Sequence, residues 1–461
     1  MDSKKRSSPG GPVGPKAKIP LQELSRNHAR RRDHRRADSE GHCATSARKD
    51  GDHPEKRLVQ RPRIRNGGHM FQIYTERIPC PLTEQGTETI DITVRRLIPD
   101  GCSTDPVVLF SLGNESAVTD RQLVRLWKAF GSRTDTIVLT PEHRGYGSSV
   151  APDHPRVPSY VTPEDAIRDF HLVREHYRGL SSRPWIVSGF SYGGALAIAY
   201  AAAYPDGIGV VHCSSGVVDW PAMMPEYDAA VRENAGEKMY ERLCRHIDVL
   251  SPAEPFDKNW RDREILYALA TAMTQMKGSR GKLIRFLTVF LSLPTGLCMT
   301  LLKAADLLAG SPMTNYMRSN MAVSVPEEHA ADGTYDWRVW RWQQFSKTGT
   351  LWAPSEQRSI YRRTEEDWKN ECRLLFGTEA EVFSRQAWDV RALIGCLKAP
   401  LVYVRGGRDP WRRIGIEPGE VFPSGGETVC FDDCYHCPDR DPDTRNGIRV
   451  MEILLKYLNH S

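Results

Sequence analysis

Ser188-Gly189-Phe190-Ser191-Tyr192-Gly193-Gly194 sets one serine between glycines, after a short apolar run and before a helix-forming one. A serine on a sharp strand-to-helix turn has its hydroxyl exposed as a nucleophile, and small neighbours are what such a turn tolerates. Pro184-Trp185-Ile186-Val187 reads as the strand, Ala195 to Tyr204 as the helix, and Pro205 as its stop. A serine nucleophile needs a base and an acid, and the chain offers both late. Ala399 to Val404 is an apolar strand that runs into Arg405-Gly406-Gly407-Arg408-Asp409-Pro410-Trp411, so Asp409 falls just past a strand's carboxyl end. Thr428 to Phe431 is another short strand, followed by Asp432-Asp433-Cys434-Tyr435-His436-Cys437-Pro438-Asp439 and a helical run from about Pro442 to Leu458. In this reading His436 takes the Ser191 proton and Asp409 fixes the ring's tautomer. Asp432, Asp433 and Asp439 compete as the acid, but they lie too near His436 in sequence for the usual strand spacing.

The elements that must hold these residues alternate. Apolar runs at Ile90–Val94, Val107–Leu112, Thr136–Thr140, Trp185–Val187, Ile208–Val211, Leu401–Val404 and Val429–Phe431 read as strands, and 120–130, 163–177 and 192–204 as helices. Such alternation predicts a mostly parallel sheet covered on both faces. Residues 219–389 interrupt it as an insertion. Within it 228–249 and 262–276 have helical texture, and Trp337, Trp340, Trp342, Trp352 and Trp368 cluster, either lining an apolar slot or packing the insertion's own core. Residues 286–302 are uncharged, but Pro294-Thr295-Gly296 breaks them, so they read as two helices and a turn rather than a membrane span.

Several motifs, in order, resemble the serine carboxypeptidases that include lysosomal prolyl carboxypeptidase and dipeptidyl peptidase II. They are Pro141-Glu142-His143-Arg144-Gly145-Tyr146-Gly147-Ser148-Ser149, Tyr160 to Asp169, the Ser191 turn, Trp340-Arg341-Trp342-Gln343, Cys372 with Phe376-Gly377, Asp409-Pro410-Trp411 and His436-Cys437-Pro438-Asp439. The resemblance spans roughly residues 69–459 and implies an α/β-hydrolase fold with a helical lid over 219–389 and a core split into 69–218 and 390–461. It implies a Ser191–Asp409–His436 triad, an oxyanion hole from the backbone at Tyr192 and Asn114, and a substrate pocket with Trp342, Gln343, Lys347 and Trp411. It also implies a serine exopeptidase that cuts next to proline, at a C-terminal residue or after an N-terminal dipeptide. An esterase or acyl-transfer enzyme on a small metabolite, or an inactive binding protein, are the other readings. Two departures stand out. Lys347 occupies a position where the family has a carboxylate, which disfavours a substrate's free amino terminus. Ser111-Leu112-Gly113-Asn114-Glu115-Ser116 replaces the family's Gly-Gly-Glu-Gly loop.

Charge is divided unevenly. Residues 1–68 carry a net of +10 and the remainder −5, giving the overall +5. The first segment is rich in Gly, Pro, Ser and Arg and poor in large apolar residues, so it reads as a disordered basic tail. Its basic clusters permit nucleic-acid contact, but solvation of a tail accounts for them, and no nucleic-acid partner is expected. Cys434 and Cys437 lack a second ligand pair at finger spacing, so no metal or other cofactor is expected. The expected partner is a peptide or small acyl substrate, with a homodimer left open and no membrane span. The N-terminus has no signal-peptide pattern, which points to the cytoplasm, whereas the resembled family is secretory or lysosomal.

Overall fold

The structure, a computed structural model, describes residues 59–60, 64–66, 69–251 and 388–460 apart from a few short gaps, and parts of the segment between 252 and 387. Ten strands form one sheet. They are β1 (Val59–Gln60), β2 (Ile64–Asn66), β3 (His69–Pro81), β4 (Thr89–Pro99), β5 (Val107–Ser111), β6 (Thr136–Pro141), β7 (Trp185–Phe190), β8 (Ile208–Ser214), β9 (Leu401–Gly406) and β10 (Gly426–Phe431). Their order is β1-β3-β4-β6-β5-β7-β8-β9-β10, with β2 also on β3. Pairing is antiparallel from β1 to the β4–β6 pair and parallel from β6 to β10. This is the α/β-hydrolase fold.

Helices cover both faces, and the two-residue period of β7 shows how. Ile186 and Phe190 point into a cluster with Leu123, Leu126 and Trp127 of α1 (Asp120–Ala129) and Val450, Met451 and Leu454 of the C-terminal helix, Asn446–Leu458. Gly189 points the other way, onto Tyr192–Ala203. That helix follows α2 (Pro163–His176) and is α3. It is apolar all round and buries ten of its twelve residues, as a central helix must. Local chemistry sets the helix starts. Thr119 and Gln122 form a capping box on α1, and Thr162 caps α2 with Pro163 as its first residue; each cap stabilises by about 1 kcal/mol. Fully buried Arg144 ties α2 to the preceding loops. It donates two 2.6 Å bonds to Asp169 and others to the Pro81, Leu82 and Tyr160 carbonyls. Losing one partner of such a pair costs about 3–5 kcal/mol.

Several expectations change. The tail expected through residue 68 lies outside the described residues up to 58, but 59–60 and 64–66 are strands on β3. β3 has no counterpart among the expected strands. Its buried residues switch parity, from Phe71 and Ile73 to Ile78 and Cys80, so no single alternation runs through it. The helix expected over 228–249 is two, α4 (Met223–Ala235) and α5 (Glu237–Val249), split at Gly236, whose φ of +81° a helix cannot contain. In the lid, α6 (Thr334–Ser346) and α7 (Glu365–Phe376) pack around Trp342, Phe345, Trp368, Cys372 and Phe376. The short α8 (Val390–Ile394) leads into β9, and the C-terminal helix is α9. Of the uncharged stretch 286–302, the described residues show a turn at 291–293 between helical residues. The stretch 262–276 lies largely outside the described residues. Among the described residues no helix is long and apolar enough to cross a membrane.

Candidate active site

Ser191 stands between β7 and α3 with φ 55° and ψ −126°, a strained backbone for a residue with a side chain. The strain is held by its neighbours. Its N–H donates to the Ser214 carbonyl of β8 at 2.8 Å, and its carbonyl accepts from Gly194 N–H at 2.9 Å. Gly189 is obligatory for a different reason: a Cβ there would lie 1.9 Å from the Gly193 carbonyl oxygen. The turn is as tight as the spacing of glycines around Ser191 implied.

Asp409 follows β9 and is 1 % exposed. Its Oδ1 accepts the Trp411 N–H at 2.9 Å, which leaves Oδ2 for His436 Nδ1, at 2.8 Å. A carboxylate only accepts, so Nδ1 carries the proton and Nε2 is the free, basic nitrogen of the neutral ring. The two loops can approach because Gly407 has no side chain; a Cβ there would meet the Asp432 carbonyl oxygen at 2.1 Å. Burial works against the charged His436 ring, but the Asp409 carboxylate and the neighbouring Cys437 together outweigh it, and the pKa lies well above the ordinary histidine value. Trp411 packs its ring 4.7 Å from that of His436, and Gln275 accepts the His436 backbone N–H at 3.0 Å.

Tyr192 begins α3, where backbone N–H groups have no helical partner. Asn114 follows β5 and lies against Gly193; its Oδ1 accepts from the Ser116 hydroxyl. Gly113 cannot serve as a donor, since its N–H is bonded to the Pro141 carbonyl. Ser191, Asp409, His436 and Asn114 therefore all follow carboxyl ends of parallel strands, where open α/β sheets bind ligands.

The four pocket candidates separate. Trp411 touches His436. Trp342 sits in the lid core with Phe345, Trp368 and Phe376, turned inward by the packing of α6 on α7. Gln343 is fully buried and spends its amide on protein. It accepts from the Tyr146 hydroxyl and donates to the Tyr192 hydroxyl at 3.0 Å, beside His143 Nε2 at 3.2 Å. Burial lowers the His143 pKa to about 3, so that ring is neutral. Lys347, just past the end of α6, is exposed. Instead, Trp340, Trp388 and Trp220 surround the Tyr192 ring, with centroids 5.1, 6.0 and 6.2 Å away. Trp340 stood in the tryptophan cluster, but its spacing did not separate it from Trp342. Nothing in the sequence marked Gln275 or Glu115. The Glu115 Oε2 is shut off from solvent with no hydrogen-bond partner among the described residues, and burial raises its pKa.

Residues 102–248 match the serine carboxypeptidase S28 family. The matched span runs from ahead of β5 through the Ser191 turn to the end of α5. No curated protein matches the chain. Among solved structures, a proline iminopeptidase from Mycobacterium smegmatis is 15 % identical, with 83 % of this chain and 99 % of that one covered and a TM-score of 0.45. An esterase from Thermogutta terrifontis is 14 % identical over 83 % and 98 %, with a TM-score of 0.36.

Proposed function

We propose that this protein is a serine exopeptidase that cleaves next to proline, with Ser191 as nucleophile, His436 as general base and acid, and Asp409 as the group that orients His436. The observation that carries the reading is the 2.8 Å bond from His436 Nδ1 to a buried Asp409, in a fold that also holds Ser191 on a strained turn. In the acylation step Ser191 Oγ bonds to the carbonyl carbon as its proton passes to His436 Nε2. The carbonyl π-electrons move to oxygen, where the Tyr192 and Asn114 N–H groups receive the charge. Collapse breaks the C–N bond, and His436 returns the proton to the leaving amine. Water then repeats the sequence on the acyl-enzyme, with His436 again the base.

The preference for proline is supported by the S28 match and by Trp340, a half-buried ring 5.1 Å from that of Tyr192, the residue next to the nucleophile. A pyrrolidine ring is compact and apolar and packs well on aromatic faces. Replacing Ser191 with alanine tests the chemistry. Hydrolysis and labelling by a fluorophosphonate should both vanish, with a rate loss of about 10⁴-fold or more in a protein that still folds. Normal labelling of Ser191→Ala would refute the assignment. Substrate choice is tested by pairing an amino-terminal Xaa-Pro amide with a blocked peptide ending in Pro-Xaa. Turnover of neither, with turnover of simple aryl esters, would move the protein to the esterases.

A further inference from the structure

Behind the candidate site, on the sheet face covered by α1 and α9, lies a second serine, histidine and aspartate that the proposed reaction does not use. Ser188 Oγ is 2.8 Å from His212 Nδ1, and His212 Nε2 is 2.8 Å from Asp439 Oδ2. The Ser214 hydroxyl donates to the other carboxylate oxygen, Oδ1. All four side chains are fully buried, and the His212 ring is held between the edges of Phe130 and Phe190 at 5.7 and 5.4 Å. No substrate reaches them, so they are not a second catalytic centre.

Their places in the chain suggest another role. Ser188 is on β7, three residues before Ser191. Asp439 is three residues after His436. His212 and Ser214 are on β8, between them. The Ser214 carbonyl accepts the Ser191 N–H at 2.8 Å, and Cys437 Sγ lies 3.6 Å from it. The next hydroxyl, Ser215 Oγ, accepts the Cys437 N–H at 2.9 Å. Both Ser215 (φ 51°) and Cys437 (φ 54°) adopt the left-handed conformation that side chains disfavour. A short stretch of β8 thus grips the nucleophile's turn and the histidine's loop together. Apolar side chains would fill this face at lower desolvation cost than a buried carboxylate and imidazole do.

We propose that Ser188, His212, Asp439 and Ser214 form a positioning latch that keeps His436 in register with Ser191. The His436 loop returns from β10, the strand at the sheet's end, and Asp439, next to the Cys437 contacts, bonds it to side chains at the sheet centre. In the neutral state the Asp439 carboxylate fixes His212 with its proton on Nε2, which makes Nδ1 the acceptor for the Ser188 hydroxyl. The inference rests on the reading of Ser191, Asp409 and His436 given above.

The test uses the full chain with Asp439→Ala, Asp439→Asn and Ser214→Ala. For each, kcat and KM are measured on a substrate of the wild-type protein, with the rate of fluorophosphonate attachment to Ser191 and the thermal unfolding midpoint. Asp439→Ala should lose about 10²-fold in kcat and in labelling rate with KM changed less than about 3-fold, because a shift of about 1 Å at a reacting group costs that much. Asp439→Asn still accepts the His212 N–H and should recover to within about 10-fold of wild type. A folded Asp439→Ala whose kcat stays within about 3-fold of wild type overturns the latch, as does equal loss in kcat for the Ala and Asn variants. If Asp439→Ala does not fold, Ser214→Ala decides: a loss of about 10-fold or more in kcat at constant KM supports the latch, and wild-type kcat overturns it. A wild-type protein that never labels at Ser191 refutes the triad itself, whereas wild-type labelling matched by Asp439→Ala refutes the latch alone.

Discussion

At the scale of single residues the balance at His436 decides how activity depends on pH. Burial favours the neutral ring, Asp409 and, less strongly, Cys437 favour the charged one, and the two together prevail. The base must be neutral to take a proton, so the acid limb of kcat/KM should lie above the ordinary histidine value of about 6.5. Asp409→Asn removes the larger attraction and leaves burial opposed by Cys437 alone. Its acid limb should move to lower pH than in the wild type, with a loss of about 10⁴-fold in rate at neutral pH. An unmoved limb would show that another group titrates there. The same pair contributes to stability with the opposite trend. A raised folded pKa means the contribution is complete below the unfolded value of about 6.5 and is lost as pH rises through the folded value. Unfolding midpoints of wild type and Asp409→Asn should therefore differ most at mildly acid pH, where Asp409 is still ionised, and converge above the folded His436 pKa.

At the scale of elements the lid and the core have separate apolar clusters, one around Phe345 and Trp368 and the other between the sheet, α1 and α9. Phe345→Ala should cost about 3–5 kcal/mol of packing, borne by α6 and α7. Because α6 carries Trp340 and Gln343 to Tyr192, peptide turnover should fall steeply while a small fluorophosphonate still labels Ser191. Parallel loss of both would mean that the lid is needed to build the nucleophile's turn. The division between what was and was not legible in the sequence follows the same line. Ser191, Asp409 and His436 stand out in the sequence because each follows a short apolar run at a turn rich in Gly, Pro or Asp, all local signals, and the structure pairs Asp409 with His436. Trp342 faces the lid core because of α7, a partner that its own neighbours do not reveal. Asp439 is one of the rival acids that the sequence offers, set aside because it lies too near His436 in sequence. The turn between them sends it inward instead, to a histidine 227 residues away in sequence.

At the scale of the whole molecule the reactive half of the sheet and its N-terminal edge are far apart in strand order. Ser191, Asp409 and His436 follow β7, β9 and β10, while β1 and β2 lie beyond β3 on the opposite edge. Val59 and Gln60 pair with Thr75 and Tyr74, and Ile64 to Asn66 pair with His69 to Phe71. These two short strands cover the outer edge of β3, whose other edge is bonded to β4 along eleven residues. An uncovered strand edge offers free N–H and C=O groups to another chain. Truncations should therefore separate into two classes. Removing residues 1–58, a segment with little apolar surface to bury, should leave kcat/KM and the unfolding midpoint near those of the full chain. Removing residues 1–68 takes β1 and β2 as well. It should lower the midpoint and promote association through β3, with kcat/KM per folded monomer nearly unchanged because none of the strands ahead of Ser191, Asp409 and His436 is touched. Light scattering and unfolding curves on the two truncations would check this. A chain starting at residue 69 as stable and as monomeric as one starting at residue 59 would show that the edge of β3 needs no cover.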